Sequence, residues 1–206
     1  MKNYINLEKD NFKGVHTTIE NIELEGKKVL RVVKSEKIME FDENTYAKLV
    51  GSKFHNGIIE VKMLSRLLPD APDFARGFIG IAYRINDDDT KFESFYLRPT
   101  NGRTDDPIRK THACQYFSYP KYTFAYFRDN GIEGYEAPVD IGLNEWITLK
   151  AVIDGSHAEF YVNDFKKPIL IVNDMKHGAS QRGGVGFFVD IGTEAFFKDL
   201  KITLKD

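Results

Sequence analysis

Gly77-Phe-Ile-Gly-Ile-Ala-Tyr-Arg-Ile85, then Asn86-Asp-Asp-Asp-Thr90, then Lys91-Phe-Glu-Ser-Phe-Tyr-Leu-Arg98 is the stretch on which the fold turns. Two runs rich in Ile, Phe and Tyr flank an acidic, turn-forming segment, the pattern of an antiparallel hairpin. With Asn86–Thr90 as the turn, strand alternation sets Phe78 across from Arg98, Gly80 from Tyr96, Ala82 from Ser94 and Arg84 from Phe92, all on one face. Ile79, Ile81, Tyr83, Ile85, Phe95 and Leu97 fall on the other face, which is core material. The first face is unusual for a solvated surface. Small residues sit there among Tyr96, Phe92 and two arginines, which leaves room for a ligand ring beside an aromatic plate and guanidinium donors. The alternative is that Gly80 and Ala82 make room for a large neighbouring side chain or a covering loop.

The same grammar extends in both directions. Ile22-Glu-Leu24, Glu25-Gly26-Lys27 and Val29-Leu-Arg-Val-Val33 form a hairpin, and Gly57-Ile-Ile-Glu-Val-Lys-Met-Leu64 is a further strand. Trp146–Ile153 pairs with His157–Val162 through Asp154-Gly155-Ser156, and the chain closes on Gly184–Val189 and Ala195–Leu204. Helical periodicity is scarce. On the order of a dozen strands, with turn signals about every 8–12 residues, predict an all-β, two-sheet antiparallel jelly-roll sandwich. No repeat or linker divides the chain, so residues 1–206 are read as one domain.

Composition narrows the function. Lys plus Arg is 29 and Asp plus Glu 31, a net charge of −2, which lacks the basic excess of a nucleic-acid binder. Hydrophobic residues at 42% and aromatic ones at 13% can build a core, so disorder is excluded. Apolar runs such as Pro168-Ile-Leu-Ile-Val172 are far shorter than the ~20 residues that cross a bilayer, which argues against a membrane partner. The lone Cys114 forms no internal disulfide and no multi-thiolate metal site, and reads as a small buried hydrophobe. The N-terminus has no secretory-type apolar stretch. As given, the chain reads as cytoplasmic, or as secreted or periplasmic if a leader has been trimmed. Oligomeric state is left open.

The least strand-like stretch runs from Tyr96 to Tyr116 and carries Arg98, Asn101, Arg103, Arg109, His112 and Gln115. Guanidinium forks, amides and tyrosine hydroxyls supply the directed donors that hydroxyl- and carboxylate-rich ligands require. Candidate ligand-binding residues are Arg84, Tyr96, Arg98, Asn101, Arg103, Arg109, Gln115 and Tyr116. If a bond is broken, His112 is the candidate acid/base, since its side chain titrates near neutrality. The bland reading is a loop stitched down by pairs between its arginines and Asp105 or Asp106. Paired-carboxylate hydrolysis finds no support: the nearest stretch to a Glu-x-Asp-x-x-Glu run is Glu40-Phe-Asp42-Glu-Asn-Thr45, with Thr45 in the last acidic place. Asp87-Asp88-Asp89 resembles a hard-cation site by charge alone, so calcium is a weak alternative to a solvated turn; no other cofactor and no metal site is expected.

Asn144-Glu-Trp-Ile-Thr-Leu-Lys-Ala-Val-Ile-Asp-Gly-Ser-His-Ala-Glu-Phe-Tyr-Val-Asn-Asp164 resembles a hairpin of concanavalin A-like lectin/glucanase domains, of the laminin-G-like and 3-keto-disaccharide-hydrolase-type branches in particular. Gly183–Phe188 with Gly192–Lys201 resembles their last strands, and Gly77–Arg84 with Phe95–Pro99 their central pair; the likeness covers roughly residues 50–204. It implies a curved jelly roll whose concave face handles carbohydrate, an inference from fold and not from a site. The expected function is therefore carbohydrate binding, or carbohydrate chemistry, on that face, with a glycan or small saccharide as partner. Two alternatives stand beside it. One is a polysaccharide lyase or glycoside hydrolase acting on a uronic-acid or disaccharide substrate. The other is a non-catalytic protein-interaction domain using Tyr119, Tyr122, Phe124 and Tyr126 as exposed anchors.

Overall fold

In the segment 146–154 every second residue, Ile147, Leu149, Ala151 and Ile153, is buried, while Thr148, Lys150 and Val152 between them are half-buried. That period of two is what one strand over a core produces. It recurs through the computed structural model, which describes residues 4–205.

The strands, in chain order, are β1 (Phe12–Val15), β2 (Thr17–Leu24), β3 (Lys27–Lys34), β4 (Tyr46–Leu49), β5 (Asn56–Leu67), β6 (Ile79–Ile85), β7 (Phe92–Leu97), β8 (Cys114–Tyr119), β9 (Glu136–Ala137), β10 (Trp146–Asp154), β11 (His157–Val162), β12 (Leu170–Val172), β13 (Gly184–Val189) and β14 (Thr193–Lys205). They form two seven-stranded sheets, ordered β1-β4-β13-β6-β7-β8-β9 and β12-β11-β10-β5-β14-β3-β2. Every pairing is antiparallel, as the sequence predicts for a jelly-roll sandwich. Three short helices, α1 (Pro99–Gly102), α2 (Pro107–Thr111) and α3 (Phe124–Asp129), occupy the excursions between β7 and β9. Among the described residues no helix is long and apolar enough to cross a membrane.

The central hairpin has the expected register: Gly80 opposes Tyr96 and Ala82 opposes Ser94. Ile79, Ile81, Tyr83, Phe95 and Leu97 enter the core between the sheets. The alternation breaks at Arg84. Tyr83 and Ile85 pair with Val185 and Gly184, and Arg84 is left between them as a bulge with φ 53°. One extra residue in a strand exchanges the faces of the residues after it. Ile85 therefore joins Ala82 and Phe92 on the outer face instead of the core, and Arg84 does not sit across from Phe92.

That outer face is not an open floor. Val15, Tyr46, Phe78, Ala82, Ile85, Phe92, Tyr96, Phe117 and Phe188 are all buried there and pack as a second apolar cluster, with Phe41 and Tyr119 against it. Gly80 is small for a backbone reason: an added Cβ would stand 2.1 Å from the Phe95 carbonyl oxygen and 2.5 Å from the Tyr96 Cα. The glycine is set by strand proximity, with no room reserved above it for a ring.

The acidic turn is not wholly solvated either. Asp89 is buried and accepts from Lys13 Nζ and Lys48 Nζ, both at 2.9 Å, and from the Tyr46 hydroxyl at 3.1 Å. Its carboxylate is already occupied by two ammonium groups. Among the described residues no group of three His, Cys, Asp or Glu side chains is placed to hold a metal ion.

Candidate functional site

Arg98 leaves β7 on the outer face, its guanidinium 5.1 Å from the Tyr96 ring centroid. It is 4% exposed and its donors are committed. Nη1 donates to the His112 carbonyl (3.1 Å) and Glu136 Oε1 (2.8 Å); Nη2 donates to the Tyr96 hydroxyl (2.9 Å) and Gln115 Oε1 (3.2 Å). A guanidinium so deeply placed is tolerable only with partners of this kind. Arg98 and Gln115 thus form the base of the site and cannot both hold each other and grip a ligand.

Two clefts open above this base and share His112 and Arg128 at their junction. The larger, about 490 Å³, runs between the end of α2 and the loop Gly131–Glu136, with Phe127 and Tyr135 in its wall. The smaller, about 200 Å³, is walled by Phe41, Phe74, Phe78 and Phe124, and ringed by Arg76, Arg98, Arg109 and Arg128 with Asn101 and His112. Phe41 sits centrally, its ring centroid 5.6 Å from those of Phe74, Phe78 and Phe124 in edge-to-face contacts. Phe74 is 45% exposed, so the aromatic wall continues to the surface.

Glu136 and His112 set the electrostatics. Burial pushes the Glu136 carboxyl up, but the hydrogen bond from Arg128 and the charges of Arg98 and Arg128 outweigh it and hold the group below its ordinary value. Burial lowers the His112 imidazole, Glu136 opposes this, and Arg128 and Arg98 lower it further, so the ring is neutral near pH 7. Arg128 Nη2 lies 3.1 Å from His112 Nδ1. A guanidinium can only donate, so Nδ1 is the acceptor and the ring proton resides on Nε2. No free imidazole lone pair remains for proton abstraction.

Behind the cleft lies a buried carboxyl that no reading of the sequence singled out for binding. Asp42 is 0% exposed, adopts φ 54°, donates its backbone N–H to Asp190 Oδ2 (2.9 Å) and accepts from the Phe124 backbone N–H (2.8 Å). Asp190 in turn accepts from Lys34 Nζ at 2.6 Å. Burial first, then the Asp190 charge, push the Asp42 carboxyl up to about 7. Its Oδ1 has no partner among the described residues, which a protonated acid tolerates better than an anion. Asp42 and Phe41 are the pin and plug by which the segment before β4 closes over the first sheet.

The other expected residues divide clearly. Asn101 and Arg109 are in the smaller cleft, Arg109 Nε donating to Asn101 Oδ1 at 3.1 Å and Nη2 to Thr100. Tyr96 lies under Arg98, 1% exposed, so it supports the site and offers no ring face to a ligand. Three lie elsewhere. Arg84 binds the carbonyls of His55, Gly155 and Gly178 at one end of the sandwich. Arg103 clamps Asp140 (2.5 Å) and Glu145 (2.9 Å) outside both clefts. Tyr116 faces the inter-sheet core, donating to Glu93 Oε2 at 2.5 Å; it neighbours Gln115 in a strand, so the two point to opposite faces.

The loop is not stitched by Asp105 or Asp106 to its arginines. Asp106 instead caps α2, accepting from the backbone N–H groups of Ile108 and Arg109. Tyr119, Tyr122, Phe124 and Tyr126 are not the set of exposed anchors expected; Tyr122 and Tyr126 pack on the main core and Tyr119 on the second cluster. Sequence reasoning missed Phe41, Phe74, Arg76, Arg128 and Glu136. The arginines at 76 and 128, each within two residues of an aromatic side chain and outside any clear strand, were the available signal.

No protein-family model and no curated protein matches the sequence. Solved structures do resemble it. Carbohydrate binding module CBM66 from Bacillus subtilis superposes with a TM-score of 0.61 at 14% identity, covering 92% of this chain and 93% of that one. A Bacillus subtilis protein of unknown function with a galectin-like fold gives 0.57 at 11% identity, covering 94% and 89%. A putative glycosyl hydrolase from Parabacteroides distasonis gives 0.51 at 13% identity, covering 96% and 89%. At these identities the likeness is one of fold alone, a two-sheet antiparallel sandwich.

Proposed function

We propose that this chain is a non-catalytic saccharide-binding domain whose ligand enters the paired clefts meeting at His112 and Arg128. The observation that carries the reading is the smaller cleft itself: four phenylalanines and a ring of guanidinium and amide donors converge on about 200 Å³. A sugar ring has apolar C–H faces and a polar hydroxyl rim. Aromatic walls with directed donors at their edge match both. The larger cleft continues the path and gives room for neighbouring residues of an oligosaccharide. The fold likeness to a carbohydrate binding module is consistent with this use.

The lyase or hydrolase alternative has less behind it. His112 has its Nδ1 taken by Arg128, and Glu136 is held ionised between two arginines, so neither is poised as a general acid or base. A glycan array with the intact protein and Phe74→Ala tests the reading. Retention of a defined set of glycans by the intact protein, lost in the variant, supports it. Absence of any retained glycan overturns it.

A further inference from the structure

The smaller cleft is charged in a way that saccharide binding alone does not require. Its lining includes Arg76, Arg98, Arg109 and Arg128 and, among the described residues, not one aspartate or glutamate, in a chain whose net charge is −2. Glu136, in the adjoining cleft, answers Arg98 (2.8 Å) and Arg128 (2.5 Å). Nothing acidic among the described residues answers the other two. Arg76 uses one nitrogen, Nη1, on the carbonyls of Asp73 and Ala75. Arg109 spends Nε and Nη2 on Asn101 and Thr100 and keeps Nη1 free among the described residues. Burial depresses the Arg76 guanidinium, and the like charges of Arg109 and Arg98 add to it. Cations crowded against one another without a counter-ion mark a place where an anion is missing.

Resting on the saccharide reading, we infer that the smaller cleft takes the carboxylate of a uronic-acid residue between Arg76 and Arg109, with the sugar ring against the phenylalanine wall. A carboxylate is planar and presents two oxygens. Guanidinium forks match that geometry, and the bonds are charge-assisted in both partners. Binding relieves the repulsion between the arginines as well as forming new bonds. Phe74 and Phe41, edge to face at 5.6 Å, place apolar surface in the same cleft as the pair, and lower local polarity strengthens the attraction. The larger cleft carries Glu133 and Glu136, so the acidic end of the ligand belongs on the Arg76 side and hydroxyl-bearing units on the other.

Retention of the full chain on immobilised polygalacturonate and alginate, on the same polymers after reduction of their carboxyls to alcohols, and on dextran sulfate tests the inference. Native polymers are expected to bind about ten- to a hundredfold more tightly than reduced ones, and R76Q/R109Q brings the two to equal retention. Arg103→Gln, which removes a guanidinium outside both clefts, leaves the ratio as in the wild type. R76Q alone, whose side chain touches only local carbonyls, serves if the double variant does not fold. Equal retention of native and reduced polymers overturns the carboxylate assignment and leaves the saccharide site standing. Dextran sulfate bound as tightly as the uronates also overturns it, in favour of a general anion site. Retention of none of these polymers overturns the inference, while the glycan array decides the broader reading separately.

Discussion

Arg98 and Glu136 form a 2.8 Å ion pair in which the arginine side chain is 5% and the glutamate side chain 18% exposed. The pair joins β7 to β9 across the base of the clefts. Breaking such a contact from one side leaves a buried cation without its counter-charge, which costs far more than an exposed pair returns. Glu136→Gln is therefore expected to destabilise the fold by on the order of 3 kcal/mol at neutral pH, seen as a fall in Tm of about 6–12 °C. The folded-state carboxyl lies below its ordinary value, so this stability is present above the unfolded pKa and lost as pH falls through the folded one. Melts of the two proteins should converge in acid.

Asp42 gives the opposite sign. Its folded pKa is raised from 3.8 to about 7, so between those values the native state keeps a proton that the unfolded chain releases. Stability from this group then falls as pH climbs from about 4 to 7 and is level beyond. Asp42→Asn keeps an acceptor for the Phe124 N–H and tolerates the left-handed backbone. It should match the wild type in urea denaturation near pH 4 and exceed it at pH 8 by on the order of 1–3 kcal/mol. A variant less stable at pH 8 would mean that the carboxylate is needed in its charged form.

Gly80→Ala places a methyl group against the Phe95 carbonyl and the Tyr96 backbone, at 2.1 Å and 2.5 Å. Neither atom belongs to a side chain that could turn aside. The strands must separate, at a cost on the order of 3 kcal/mol, measurable as a lower midpoint in chemical denaturation. Gly26→Ala provides the contrast, since nothing lies within 4 Å of its added Cβ and only the φ of 71° is strained.

The His112 ring should titrate below the free-histidine value and exist as the Nε2–H tautomer, because Arg128 donates to Nδ1. Long-range ¹H–¹⁵N correlation spectra across pH 5–8 read both properties at once. An Nδ1–H tautomer would show that Arg128 does not hold the ring, and Arg128→Gln should raise the midpoint by removing one of two nearby positive charges.

The hairpin register was legible in the sequence because the alternation of Ile79, Ile81 and Tyr83 against Gly80 and Ala82 favours one pairing with a turn at Asn86–Thr90 over a one-residue slip. The bulge at Arg84 was not, since it shows only when β6 is laid against β13, where the two steps from Tyr83 to Ile85 face the single step from Val185 to Gly184. Ranking the polar loop as the site recovered Asn101, Arg109 and His112 in the smaller cleft. It failed for Tyr116 because that residue already belongs to a strand, where neighbours face apart. Phe41 was invisible for another reason. It arrives from a segment far off in sequence, and only the folding of that segment over the first sheet brings it to Phe124.

The aromatic layer on the outside of the first sheet gives this protein, besides the apolar interior between the sheets, a second under its loops. The second is fastened by two main-chain amides, Asp42 to Asp190 and Phe124 to Asp42. Surface connections ordinarily trade their amide protons with solvent by local fraying; these two can do so only when the whole cover lifts. Deuterium uptake there would report the opening of this cover as a single cooperative event.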